Sequence, residues 1–258
     1  MNKLKPRKVS GAKETETHFG FQQIPFTEKQ DKVDKVFHSV AERYDLMNDL
    51  MSLGMHRLWK RWVMSLTGIR PGQTVLDLAG GTGDLTLLMS KQLRGSGKII
   101  LSDINESMLG IGRERVIDGG ALSLVEYVQA DAQYLPFKNN QFDCVTMAFG
   151  LRNVPDIQKA LESILPTLKP GGRLLVLEFS EPHRSIAPVY DFYSFQFLPR
   201  MGEWVAKDRA SYQYLAESIR MHPNQERLKQ MFMQAGFDHC EYHNLSAGIV
   251  AAHRGFKY

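Results

Sequence analysis

Three carboxylates and a glycine-rich turn stand in a fixed order along this chain. The run Val75-Leu76-Asp77-Leu78-Ala79-Gly80-Gly81-Thr82-Gly83-Asp84 sets an apolar stretch directly against Gly80, Gly81 and Gly83, and Asp103 and Asp131 follow downstream. Glycines at such a junction let the backbone bend tightly and let a ligand come close to it. The spacing does not suit a dinucleotide, because the last position of G-x-G-x-x-G is Thr86, and no G-x-x-x-x-G-K-[ST] phosphate loop is present. A carboxylate at Asp103 can accept hydrogen bonds from both hydroxyls of a ribose, and Asp131 with Ala132 is placed to meet an adenine. Acids around a nucleoside, without a basic partner for phosphates, favour a ligand that carries a positive centre.

The elements that must hold these residues are legible as alternating short apolar runs and helical segments. Strands are expected at Thr74 to Leu78, Lys98 to Asp103, Ser123 to Gln129, Phe142 to Ala148 and Arg173 to Phe179. Helices fall between them at Leu85 to Leu93, Ser107 to Ile117 and Ile157 to Leu168, the last stopped by Lys169-Pro170-Gly171-Gly172. This alternation predicts an α/β fold with a parallel, doubly wound sheet. Two strands near Cys240 to Asn244 and Gly248 to His253, with a short link, predict an antiparallel final pair after a helix at Gln225 to Ala235. Upstream, Val33, Val36, Phe37, Val40 and Tyr44, then Met55, Leu58, Trp59, Trp62 and Val63, recur at helical spacing and predict two amphipathic helices.

The organisation read from these patterns is a flexible arm over residues 1–30 and one domain over 31–258. Within it a helical lid covers 31–70, a ligand-binding core 72–180, an aromatic insertion 181–224, and a C-terminal helix with antiparallel strands 225–258. The 258 residues carry 32 Lys and Arg against 28 Asp and Glu. Lys3, Lys5, Arg7, Lys8 and Lys13 account for that excess, so the remainder is nearly neutral and does not suggest a nucleic-acid groove. Two cysteines, Cys144 and Cys240, exclude a disulfide scaffold, and no histidine spacing suggests a metal site. With neither a signal-like apolar stretch nor a membrane span in sight, a cytoplasmic protein is expected, any membrane contact being peripheral.

The glycine loop followed by Asp103 and Asp131 resembles that of class I methyltransferases, which implies S-adenosyl-L-methionine as cofactor and a Rossmann-like sheet of seven strands, the last antiparallel, with helices on both faces. The first glycine of that pattern is Ala79 here, which the turn accommodates if its φ is negative. More particular strings are Tyr44-Asp45-Leu46-Met47-Asn48-Asp49-Leu50-Met51-Ser52-Leu53-Gly54-Met55-His56-Arg57-Leu58-Trp59, Phe149-Gly150-Leu151-Arg152-Asn153-Val154, Leu177-Glu178-Phe179, Glu217-Ser218-Ile219-Arg220-Met221-His222-Pro223 and His253-Arg254-Gly255. Through them the chain from about His18 onward resembles the ubiquinone/menaquinone biosynthesis C-methyltransferase family.

The resemblance implies methylation of a ring carbon of a polyprenyl hydroquinone, either demethylmenaquinol or 2-methoxy-6-polyprenyl-1,4-benzoquinol. Such a carbon becomes nucleophilic as a ring hydroxyl gives up its proton, so the site needs donors aimed at a phenolate. Arg152, Asn153 and then Tyr44 are the expected catalytic residues; His56, Asp45 and Glu178 are weaker candidates. Asp77, Gly80, Gly81, Thr82, Gly83, Asp103, Asp131, Ala132 and Ala148 are expected around the cofactor. Met47, Met51 and Met55 with the aromatic run Tyr190 to Phe197 would line a slot for the prenyl tail, and Trp59-Lys60-Arg61-Trp62 offers a membrane-facing string. A homodimer is also suggested by the resemblance. Competing readings are a methyltransferase for another small or lipid acceptor, and a non-catalytic quinol-binding member of a quinone-synthesis assembly.

Overall fold

The alternating runs fold into a seven-stranded sheet whose two faces are both buried. The computed structural model describes residues 16–40, 44–206 and 208–258, with the side chains of residues 37, 39, 40, 44–46, 205 and 206 outside that description. A short antiparallel hairpin comes first, β1 (Glu16–Phe19) and β2 (Gln22–Pro25), and three helices follow: α1 (Phe26–Val40), α2 (Tyr44–Ser52) and α3 (His56–Thr67). The core then runs β3 (Thr74–Leu78), α4 (Asp84–Leu93), β4 (Lys98–Asp103), α5 (Glu106–Asp118), β5 (Val125–Gln129), β6 (Phe142–Ala148), α6 (Ile157–Ile164) and β7 (Leu168–Phe179). Helices α7 (Ala187–Phe192), α8 (Leu198–Met201), α9 (Arg209–Met221) and α10 (Gln225–Gln234) lead to β8 (His239–Leu245) and β9 (Val250–Phe256).

Strand order is β5-β4-β3-β6-β7-β9-β8. β3 pairs in parallel with both β4 and β6, so the order reverses at β3 and a crevice opens at the carboxyl ends there. β9 lies antiparallel between β7 and β8, and it is the one strand of the seven that runs against the rest. Side chains alternate across the strands: Val75, Leu101, Cys144 and Leu175 join one buried layer with Trp59, Leu85 and Val116, while Leu76, Ile100, Val145 and Val176 join the other with Leu161 and Phe232. Helices therefore cover both faces.

Several expectations are corrected. The arm expected through residue 30 has structure from Glu16 onward: Thr17 Oγ1 donates to Pro155 O, Phe21 N donates to Glu217 Oε2, and Phe19 stacks on Tyr214 at 4.2 Å between ring centroids. Three helices rather than two precede the sheet. Helix α6 ends at Ile164 and not at Leu168, since Pro166 follows in the next turn. The run Lys169 to Gly172 then bulges out of β7, where the register against β6 shifts between Phe142 and Cys144. The segment read as an aromatic insertion is helical, with wide π-type turns at Tyr193–Phe197 and Gly202–Ala206. No helix among the described residues is long and apolar enough to cross a membrane.

Candidate active site

The turn between β3 and α4 is held from below. Asp77 is buried and its carboxylate accepts from Thr86 Oγ1 at 2.7 Å and Thr146 Oγ1 at 3.0 Å. Burial pushes its pKa up to about 6 against those hydrogen bonds. Asp77 thus braces α4 and β6 beneath the loop and is not among the residues lining the cleft above. Gly80 is needed for close approach: a Cβ there would meet Leu101 Cδ1 at 2.4 Å and Asp77 Cγ at 2.9 Å. Thr82 is buried within the turn and Gly83 caps α4.

Ala79 departs from the expected negative φ, adopting +50°. Its methyl points at Gly150, where an added Cβ would come to 2.6 Å from it. The two small residues therefore share one space at the mouth of the cleft. Left-handed backbone costs alanine about 1 kcal/mol relative to glycine, so Ala79→Gly should raise stability by up to that amount. Gly150→Ala should lower it by about 1–3 kcal/mol through overpacking. The double variant Ala79→Gly, Gly150→Ala should recover most of that loss, which denaturant titrations of all four proteins measure.

Above the loop, at the strand-order reversal, lies a cleft. It is lined by Ala79 and Gly81 of the loop, Asp103 after β4, Asp131 and Ala132 after β5, and Phe149, Gly150 and Asn153 after β6. Gln30, Val33 and Asp34 of α1 close it from the N-terminal side, and Met108 of α5 also contributes. Three carboxylates, Asp34, Asp103 and Asp131, line the cleft and no Lys, Arg or His does so among the described residues. Asp103 accepts from Gly81 N and Asn105 N, each at 2.9 Å, and burial raises its pKa to about 6. Asp131 accepts from Gln133 N at 2.8 Å. Gln30, Val33, Asp34 and Met108 escaped the sequence reading, although the helical spacing of Val33 marks the face of α1 that carries Gln30 and Asp34.

Arg152 and Asn153 occupy one short turn and face different ways. Asn153 lines the cleft, and its Oδ1 accepts from Tyr214 OH at 3.0 Å, so the donor end of the amide is left for a ligand. Arg152 is buried: Nη1 donates to Glu178 Oε1 at 2.8 Å and to Phe149 O at 2.6 Å, and Glu178 Oε2 also accepts from Arg152 N at 3.3 Å. This ion pair closes the turn after β6, including Phe149, whose φ is +59°. Arg152 Nε is buried without a protein partner among the described residues. The guanidinium faces a second cavity, beside Lys29, whose burial lowers its pKa to about 8 while Nζ donates to Val154 O at 3.1 Å.

The remaining candidates lie apart. The side chains of Tyr44 and Asp45 fall outside the described residues. His56 is bonded to Asp49 Oδ1 at 2.9 Å in the corner between α2 and α3, and burial lowers its pKa. Ala148 is half-buried in β6, beneath the cleft. Met47 and Met51 are core residues, whereas Met55 is partly exposed. Trp59 is buried with Nε1 donating to Ser246 Oγ, and Lys60 is buried with Nζ donating to Asp84 Oδ2, so of that string only Arg61 and Trp62 are exposed. No group of three or more His, Cys, Asp or Glu able to hold a metal ion occurs among the described residues.

Comparison with known proteins fits this arrangement. A model of the ubiE/COQ5 methyltransferase family matches residues 26–257. The chain is 59% identical over 243 residues to "Ubiquinone/menaquinone biosynthesis C-methyltransferase UbiE" of Legionella pneumophila (strain Corby), covering 94% of this chain and 97% of that one. It is 60% identical over 251 residues to the protein of the same name from Klebsiella pneumoniae (strain 342), covering 97% and 100%. Among solved structures, a SAM dependent methyltransferase from Aquifex aeolicus superposes with a TM-score of 0.61 at 19% identity over 82% of this chain and 96% of that one. Phosphoethanolamine N-methyltransferase 2 of Haemonchus contortus, in complex with S-adenosyl-L-methionine, gives 0.59 at 18% identity over 77% and 52%. At such identities the likeness is one of fold.

Proposed function

The chain belongs to the ubiE/COQ5 methyltransferase family, and from that premise we propose that the cleft binds S-adenosyl-L-methionine for transfer of its methyl group to a ring carbon of a polyprenyl hydroquinone. The protein is a C-methyltransferase of quinone biosynthesis. The single observation that supports the cofactor assignment is the cleft wall itself, three carboxylates with no basic side chain. That wall suits a nucleoside joined to a sulfonium and repels a diphosphate.

When bound, the cofactor supplies an electrophilic methyl on a positively charged sulfur. Asp103 is assigned the ribose hydroxyls, Asp131 and Ala132 the adenine edge, and the turn from Gly80 to Gly83 the amino-acid end. Asn153 offers its amide donor at the junction of cleft and acceptor. Arg152 places a permanent cation next to the ring oxygen, and with a pKa above about 12 it acts by charge rather than as a base. Glu178 keeps that guanidinium in place, while Phe149 and α1 exclude water. The exposed apolar side chains of Val189, Phe192, Phe197 and Trp204 are the assigned path of the prenyl tail and the place of any membrane contact.

Carbon methylation needs the hydroxyl whose proton is lost. A short-chain demethylmenaquinol or methoxy-benzoquinol kept reduced should therefore turn over, and the same compound oxidised to its quinone should not. Equal rates on quinol and quinone would defeat the proposal.

A further inference from the structure

Building on the quinol reading above, we infer that His222 is the base that receives the ring hydroxyl's proton, in a polar chamber sharing the wall Val154–Pro155 with the cofactor cleft. His222 ends α9, where its N–H donates to Ser218 O at 3.1 Å and Ile219 O at 3.3 Å. Pro223 follows and prevents the helix from continuing, so the backbone of His222 is held at the helix end. It borders two adjoining cavities. One also meets Ser180, Tyr190 and Ser194; the other meets Lys29, Arg152 and Tyr214, together with Val154 and Pro155 from the cleft wall.

Both ring nitrogens of His222 are buried without a hydrogen-bond partner among the described residues. A neutral imidazole has one donor and one acceptor, so two partners of opposite sense are missing at one place. Ser180, which borders the first cavity, and Arg152, which borders the second, each hold an unpaired buried atom as well, Oγ and Nε. His253 keeps one such bond, from Nε2 to Gln225 O at 2.8 Å, and only its Nδ1 is unpaired. Buried polar groups are nearly always paired, and these unpaired atoms, on residues that border two cavities meeting at His222, mark the seat of a polar ligand. A hydroquinone hydroxyl supplies a donor to the imidazole and an acceptor to Arg152.

Burial, then Arg152, His253 and Lys29, hold the His222 pKa down to about 3 in the empty chamber. The imidazole is thus neutral at every working pH, and as so weak a base it takes the proton only because Arg152 and Lys29, which border the same chamber, stabilise the phenolate left behind. Proton transfer from the phenol leaves an imidazolium beside a phenolate, a pair with no net charge whose mutual attraction offsets part of the desolvation that burial imposes. In that step the O–H bond breaks and the proton joins His222. The ring carbon then forms its bond to the methyl as the methyl–sulfur bond breaks, with that electron pair staying on sulfur. The methylated carbon loses its hydrogen as a proton to water, and the oxygen takes its own proton back from His222.

The test uses the full-length protein with reduced short-chain quinol under anaerobic conditions, comparing the parent with His222→Ala and the more conservative His222→Gln. Both variants should bind S-adenosyl-L-methionine within threefold of the parent yet turn over about 10²–10⁴-fold more slowly at pH 7, the usual contribution of a general base. Because a phenol of pKa about 10 ionises increasingly in alkali, the variants' kcat/KM should rise about tenfold per pH unit from 7 to 9, while the parent's stays flat. His222→Gln within threefold of the parent, or a loss in both variants that does not recover with pH, overturns the assignment. A parent that methylates neither quinol overturns the functional reading and this assignment with it.

Discussion

Replacing Asp103 by alanine should weaken S-adenosyl-L-methionine binding by at least about 100-fold. Its carboxylate is the one group that both clamps the loop, through Gly81 N, and faces the cleft. Two hydrogen bonds from ribose hydroxyls to an ionised acceptor contribute about 1.5–3 kcal/mol each, and about 1.4 kcal/mol is a factor of ten. Burial raises the pKa of Asp103 to about 6, and a protonated carboxyl no longer accepts from both hydroxyls. Affinity should therefore hold above that pH and fall as pH drops through it, by at most about tenfold per unit. Asp103→Asn, which keeps one acceptor oxygen, should fall between parent and alanine variant and lose the pH dependence. Calorimetric titration across pH 5 to 8 checks all three; an affinity of Asp103→Ala within threefold of the parent would remove Asp103 from the cofactor site.

The second large effect concerns Arg152 and Glu178, both nearly inaccessible to solvent and 2.8 Å apart. Truncating one partner of such a pair strands the other charge and costs about 3–5 kcal/mol. For a domain of this size that is a fall in Tm of about 10 °C. Arg152→Ala should show that fall and also lose about 10²–10³-fold in kcat, as expected when a donor to a developing oxyanion is removed. The neutral pair Arg152→Met, Glu178→Gln separates the two roles. It should regain most of the stability, because no uncompensated charge stays buried, yet remain as slow as the alanine variant. Recovery of turnover together with stability would mean that Arg152 merely neutralises Glu178.

Much of this site could be read before any coordinates, because it is written in local signals. The glycine turn, the carboxylates at strand ends and the strand and helix rhythm depend on residues within a few positions of one another. What escaped depends on partners far away in the chain. Asp77 belongs to the same motif as the cleft residues, but Thr146 on β6 and Thr86 on α4 claim its carboxylate. The backbone of Ala79 is left-handed, and the absence of a side chain at Gly150, across the sheet, leaves room for its methyl. The hairpin at residues 16–25 has strands of four residues each, too short and polar to show a pattern, and its packing on α9 stabilises it. His222 lies within a string that carries the resemblance and has no local signal of its own for a site. The following proline is the local sign that a helix ends at His222.

The most direct test of the central claim is to supply methyl-labelled S-adenosyl-L-methionine with a short-chain demethylmenaquinol and, separately, a methoxy-benzoquinol, both kept reduced, and to locate the label in the product by mass spectrometry. The account predicts label on a ring carbon of at least one of the two quinols, with one methyl per product. Label on oxygen, or no transfer to either quinol by a protein that demonstrably binds the cofactor, would contradict it.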